Sequence, residues 1–151
     1  YRLWVLLHLA RDGITTAREK ELKQYGLTVR EFAALFIIDI IDFSGAKATV
    51  AEISRYLYRK PHTVSTLVDR MLKRGFVIKV KDLDRKNMVR VYLTDKGREV
   101  YDKAATRESI CEIMTCLSDE ERQQLISSLK KLRNKALKQL GLEDHAHLLG
   151  Y

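Results

Sequence analysis

Thr49-Val50-Ala51-Glu52-Ile53-Ser54-Arg55-Tyr56-Leu57, the link Tyr58-Arg59-Lys60, and Pro61-His62-Thr63-Val64-Ser65-Thr66-Leu67-Val68-Asp69-Arg70-Met71-Leu72-Lys73-Arg74-Gly75 decide how this 151-residue sequence is read. Thr49 followed three residues later by Glu52 has the form of a capping box, in which hydroxyl and carboxylate satisfy amides at a helix start. Val50, Ile53, Tyr56 and Leu57 then recur at helical spacing and predict a short helix over about 49–57. Pro61, with its fixed φ and missing amide, suits the first position of the next helix. There Val64, Leu67, Val68, Met71 and Leu72 form an inward stripe, leaving His62, Ser65, Thr66, Asp69, Arg70 and Lys73 on the outer face. Gly75 ends the run, and two short helices across a tight turn make a helix-turn-helix.

Past Gly75 the apolar period falls from helical to alternating: Phe76, Ile78 and Val80 interleave with Val77, Lys79 and Lys81. After Asp82-Leu83-Asp84-Arg85-Lys86-Asn87, alternation returns in Val89-Arg90-Val91-Tyr92-Leu93, which predicts a β-hairpin with a charged tip. Thr94 closes the strand and caps a helix that begins Asp95-Lys96-Gly97 and is expected to run to about Cys116.

Upstream, residues 1 to about 24 read as a helix with Leu3, Leu6, Leu7, Ala10, Ile14 and Ala17 on one stripe and a weak point at Gly13. Thr28-Val29-Arg30-Glu31 is a second capping box. The helix it opens, to about Phe43, is apolar over most of its circumference through Phe32, Leu35, Phe36, Ile37, Ile40 and Ile41, and belongs at the centre of the fold. Ser118-Asp119-Glu120-Glu121 is a third box. It opens a final helix to about Leu140 whose stripe is Leu125, Leu129, Leu132, Ala136 and Leu140, with Lys130, Lys131, Arg133, Lys135 and Lys138 opposite. Such a stripe packs on its own domain or on a partner chain. The first, fifth and sixth helices carry more apolar surface than the small central module can cover, so a second copy of the chain is the expected partner. Leu3, Leu6 and Leu7 with the terminal stripe are its expected interface.

The fold class is therefore mostly α with a small β-hairpin wing: a winged helix-turn-helix over 28–97, long dimerisation helices over 1–27 and 98–142, and a tail over 143–151, in one intertwined domain. One proline and seven glycines leave little room for long loops, and 46% hydrophobic with 32% charged residues marks a globular chain. The net charge of +8 is concentrated: residues 55–90 hold eleven basic side chains against three acidic ones, while the rest of the chain balances. A solvated surface ordinarily mixes both signs, so this excess on the helix-turn-helix and hairpin points to a polyanion.

Other classes are disfavoured. The uncharged apolar run Phe32–Ile38 is followed at once by Asp39 and Asp42 and falls far short of the roughly 20 apolar residues that cross a bilayer. The opening Tyr1–Leu7 is followed by His8, Arg11 and Asp12 without a cleavage-site pattern, so no signal peptide and a cytoplasmic location are expected. Cys111 and Cys116, five apart in a helical pattern, are expected to be two ordinary buried thiols, a redox switch being the alternative. No glycine-rich phosphate loop, His-Glu-x-x-His or Cys-x-x-Cys is present, and an enzyme is not expected. His145-Ala146-His147 beside Glu143 and Asp144 reads as a charged tail, since alternating histidines without cysteines are a weak zinc signal. No metal or cofactor is expected.

The order helix, helix, hairpin, helix over Thr49–Gly97 resembles the MarR family of winged helix-turn-helix regulators. The resemblance is carried by Thr49–Ser54, by Val64–Val77, by Asp84-Arg85-Lys86, and above all by Leu93-Thr94-Asp95-Lys96-Gly97 after a basic wing; Gly26-Leu27-Thr28 and the flanking helices extend it over almost the whole chain. Family wings usually read Asp, any residue, Arg, whereas here Arg85 directly follows Asp84 and the return to Leu93 is one residue longer.

The resemblance implies a homodimer on a pseudo-palindromic duplex, its two recognition helices about 34 Å apart. The start of the second helix of a helix-turn-helix reaches base edges in the major groove, which assigns Lys60, Pro61, His62, Ser65 and Thr66, with Arg70 and Lys73 further along. The wing would lie over the adjacent minor groove, with Arg85 inserted, Lys86 second, and Asp84 orienting the arginine. The resemblance also implies release by a small molecule or an oxidant. Trp4, His8, Phe32 and Phe36 are candidates to line an effector cavity, although aromatic residues at such spacing ordinarily serve as core. The alternative is a winged-helix module whose basic face meets a protein or RNA.

Overall fold

The structure is a computed structural model and describes residues 1–81 and 88–142. Its elements are α1 (Arg2–Gln24), α2 (Val29–Phe43), α3 (Val50–Leu57), α4 (Pro61–Lys73), β1 (Val77–Lys81), β2 (Val89–Leu93), α5 (Asp95–Ala104), α6 (Glu108–Met114) and α7 (Asp119–Gln139). They form two compact units, one of Tyr1–Cys111 and one that begins at Glu112.

The first unit is built around α2, as its nearly all-round apolar character requires. Ala34, Leu35, Ile37, Ile38 and Ile41 are buried there, and Leu22, Ile53, Val64, Val68, Met71, Val91 and Ala104 pack into the same core. Full burial of each large aliphatic side chain contributes about 1.5–3 kcal/mol, so this cluster is the main source of the unit's stability. Only the C-terminal part of α1 joins it: Arg18, Glu21 and Leu22 are buried, whereas Leu3, Trp4 and Leu6 stay exposed.

Two of the three capping boxes close fully, at Thr28 with Glu31 and at Ser118 with Glu121. At Thr49 only the forward half forms: its hydroxyl accepts from the Glu52 amide at 3.2 Å, while the Glu52 carboxylate turns to the Arg55 guanidinium at 2.9 Å. The Thr49 amide is already engaged, donating to the Lys47 carbonyl at 2.8 Å, so no donor is left for the backward bond.

The hairpin is antiparallel, with Val77 opposite Leu93 and Lys79 opposite Val91. Val77 and Val91 are buried, while Ile78 and Val80 on the other face remain exposed. A third chain segment adds to the sheet: the Val91 amide donates to the Ala48 carbonyl at 2.8 Å, and Thr49 bridges Arg90. The residues just before α3 thus pair with the wing.

Three expectations are corrected. The helix that opens at Asp95 does not continue to Cys116; it stops at Ala104, and α6 begins at Glu108. Arg107 adopts φ 54, a left-handed conformation that no α-helix can contain. The break is stabilised from α1, because Glu21 accepts hydrogen bonds from the amides of Glu108 (3.0 Å) and Ser109 (3.3 Å) and from the Ser109 hydroxyl. Cys111, on an α6 that has no buried residue, and Cys116, just beyond it, are both exposed rather than buried. Leu72, expected to point inward, is 39% exposed, since Val64, Leu67, Val68 and Met71 already fill the buried face of α4.

Glu21 is one half of a buried clasp. The Arg18 Nη1 lies 2.7 Å from Glu21 Oε1, an ionic contact without directed hydrogen-bond geometry, while Nη2 donates to the Ala104 carbonyl at 2.7 Å. The guanidinium covers the Phe32 ring at 4.5 Å, and that ring stacks on Tyr101. Burial raises the Glu21 pKa, but the Arg18 guanidinium beside it and the hydrogen bonds from Ser109 outweigh this and leave the carboxyl below its usual value.

In the second unit, α7 buries Leu137 and leaves Leu125, Ile126, Leu129 and Leu132 exposed, as is its C-cap residue Leu140. Its start is tied down by Arg122, whose Nε donates to the Met114 carbonyl at 3.1 Å.

Candidate nucleic-acid interface

Helix α4 has its buried stripe against the core and its first turn in solvent. Lys60 is the N-cap and makes no side-chain capping bond, and Pro61 brings no amide, so this helix start is not sealed by its own side chains. Lys60, Pro61, His62, Thr66, Arg70 and Lys73 are exposed and Ser65 is half-buried. The His62 Nε2 lies 3.3 Å from the Thr63 hydroxyl, and the Thr66 hydroxyl donates to the His62 carbonyl at 3.0 Å. The Thr66 proton is thereby committed to the helix backbone, which leaves its oxygen as an acceptor.

The structure brings Lys60, Pro61, His62 and Thr66 together at one end of this helix. Arg70 departs from them. It lines a cleft beside α2 together with Arg30 and Arg59, and pairs with no acid among the described residues. Lys73 borders a separate hollow with Arg74, Phe76 and Lys96. Asp84, Arg85 and Lys86, the wing-tip assignments, lie outside the described residues. Of the expected partner-facing residues, Leu3, Leu6, Leu125, Leu129, Leu132, Ala136 and Leu140 are exposed and Leu7 is half-buried.

A set of contacts that sequence reading missed fixes the hairpin to α4. Asp69 of α4 pairs with Lys79 of β1. Gly75, at φ 74, lets the chain turn so that the Phe76 amide bonds the Met71 carbonyl at 3.0 Å. The Thr94 hydroxyl then donates to the Gly75 carbonyl at 2.7 Å while it caps α5 by accepting from Gly97, and Lys96 Nζ donates to the Arg74 carbonyl at 2.9 Å. The run Leu93–Gly97 is thus a clamp that joins the end of the hairpin, the end of α4 and the start of α5.

Arg74 anchors the same corner from the other side. Its guanidinium donates to Glu31 Oε1 at 2.8 Å and to the Gly26 carbonyl at 2.6 Å, and covers the Phe76 ring at 4.5 Å. Glu31 is almost fully buried. Burial raises its pKa, but the Thr28 amide, the Arg74 guanidinium and the Thr28 hydroxyl outweigh this and hold the carboxyl below its usual value. Lys79 and Arg74 carry the helix-to-wing geometry, yet in the sequence each reads only as one of the eleven basic side chains of 55–90.

Among the described residues there is no cluster of three or more His, Cys, Asp or Glu suited to a metal ion, and no helix long and apolar enough to cross a membrane.

Comparison with known proteins places this geometry. The MarR family model matches residues 25–86. The HTH-type transcriptional regulator YsmB of Bacillus subtilis (strain 168) is 29% identical over 117 residues, which span 76% of this chain and 77% of that protein. The organohalide-sensing RdhR-CbdbA1625 transcriptional regulator in its ligand-free form is 32% identical with a TM-score of 0.81, the match covering 95% of this chain and 83% of that one. A mutant MarR from E. coli complexed with operator DNA shares the fold at 22% identity and a TM-score of 0.78, over 87% of this chain and 93% of that one. The fold, the clamp at Leu93–Gly97 and these likenesses agree: the chain belongs to the MarR family of winged helix-turn-helix transcriptional regulators.

Proposed function

We propose that the chain binds a pseudo-palindromic duplex site as a homodimer, with the start of α4 in the major groove and the wing over the neighbouring minor groove. The observation that carries this reading is the exposed row Lys60, Pro61, His62 and Thr66 beside a hairpin tied to the same helix by Asp69 and Lys79, within the segment that holds all of the net positive charge. An α-helix fits the major groove, and side chains near its start reach base edges there. The mutant MarR from E. coli and MepR from S. aureus, which share the fold, were both solved with DNA, and this supports the reading.

Arg85 enters the minor groove, with Lys86 next to it and Asp84 orienting the arginine. Leu3, Leu6 and Leu7 with Leu125, Leu129, Leu132, Ala136 and Leu140 form the dimer contact, which accounts for apolar stripes left in solvent on a single chain. The winged part spans 28–97 and the dimerisation helices 1–27 and 98–142. The protein acts by binding in the cytoplasm, without catalysis or cofactor, as a repressor released by a small molecule or an oxidant. The RdhR-CbdbA1625 regulator has been solved with 2,4-dichlorophenol, which supports a small aromatic effector.

Selection of bound duplexes from a random pool, followed by salt titration of the winner, tests this. The expected result is one two-fold motif, a steep fall of affinity with salt, and a loss of about tenfold on Arg85→Ala. Equal affinity for every sequence would sink the reading.

A further inference from the structure

Between the start of α2 and the flank of α4 lies a cleft of about 560 Å³ lined by Arg30, Arg59 and Arg70, with Thr63 beside them and an apolar floor that includes Val29 and Leu67. Glu19 is its one acidic lining residue. None of the three guanidiniums pairs with an acid among the described residues; Arg59 makes only a long 3.5 Å contact to the carbonyl of its neighbour Tyr58. Elsewhere in this unit Arg74, which lines a second recess, is neutralised by Glu31. Three like charges around one cleft repel one another, and an anion entering it removes that repulsion.

We infer that this cleft is a phosphate-binding site, and that its occupant is a backbone phosphate of the bound duplex. The inference rests on the reading of α4 as the groove-binding helix. Guanidiniums suit the role because their planar forks meet phosphate oxygens in pairs. The position suits it as well: phosphates border a groove on both sides, and the cleft borders α4. Arg70 is thereby moved from reading a base to holding the backbone, and Arg30 and Arg59, one on α2 and one on the α3–α4 link, join the interface. Phosphate contacts set register and affinity without sequence information, so the three residues contribute strength and not specificity.

The test uses the full chain with Arg30→Gln, Arg59→Gln and Arg70→Gln, singly and combined, folding being checked by circular dichroism. On the duplex selected by the wild type, each single variant is expected to lose about fivefold to tenfold in affinity, and the salt slope to become shallower by about 0.9 for each phosphate that is no longer neutralised. The selected motif stays the same. Inorganic phosphate is expected to raise the melting temperature of the wild type and not that of the triple variant. An unchanged slope in the triple variant, or a changed base preference on Arg70→Gln, overturns the inference. If the wild type bound no duplex and phosphate still raised its melting temperature through these arginines, the phosphate site would stand and the duplex reading would fall. If phosphate had no such effect either, both would fall.

Discussion

A Cβ placed on Gly97 would lie 1.9 Å from the carbonyl oxygen of Phe76. The first turn of α5 therefore rests directly on the backbone that joins α4 to β1, and no side chain fits between them. Substitution of a helical glycine by alanine ordinarily favours the helix by up to about 1 kcal/mol. Here the clash is with backbone and cannot be relieved by a rotamer change. Gly97→Ala is expected to destabilise the protein by about 2–3 kcal/mol in urea titrations. A change below about 0.5 kcal/mol would mean that α5 can move off Phe76 freely.

The Glu31–Arg74 pair supplies a pH dependence. Glu31 is depressed in the folded state, so its contribution is fully present above its unfolded value of about 4.3 and is lost as pH falls through the lower folded value. Glu31→Gln is expected to cost about 2–3 kcal/mol at neutral pH and to flatten the stability profile between neutrality and acid. Parallel profiles for the two proteins would show that the pair adds no pH-linked stability.

His62 and Ser65 occupy the exposed start and the half-buried flank of α4. His62→Ala or Ser65→Ala is expected to change the preferred base at one position of each half-site, with a discrimination loss of about 1–3 kcal/mol there and a smaller change in overall affinity. Recovery of the wild-type motif from a random pool by both variants would remove them from base reading.

On α7, Leu129 and Leu132 are 43% and 46% exposed in a single chain. Leu129→Asp or Leu132→Asp is expected to yield monomer by light scattering, because a carboxylate forced into an apolar contact costs more than about 2 kcal/mol. A dimer that survives both changes would place the contact elsewhere.

Local chemistry made most of the fold legible. Thr28, Thr49, Pro61, Thr94 and Ser118 mark helix starts because each solves a backbone problem within three residues of itself, and all five helices begin where those residues place them. What escaped depends on partners far along the chain. Arg107 ends a helix without Gly or Pro to announce it, and the acid that stabilises the break, Glu21, is 87 residues from the amide it accepts. The burial of Arg18 and Glu21 is not legible, because sequence does not show which helix will cover them, and Glu31 reads only as a cap and not as the buried partner of Arg74. At the interface, the row from Lys60 to Thr66 follows from helical periodicity alone. The separation of Arg70 from that row does not, since it depends on how α2 packs against α4.

The pairing of Thr49 with Arg90, together with that of Asp69 with Lys79, means that the segment entering the helix-turn-helix, the helix itself and the wing turn as one lever. On the proposed two-fold site, then, the distance between the two grooves within each half is set once, by covalent chain and ion pair. In the proposed homodimer, any accommodation to sites of different length would arise between the two protomers. An extra base pair placed between the half-sites should be met by their rearrangement, whereas the same insertion inside one half-site leaves the lever nothing to yield.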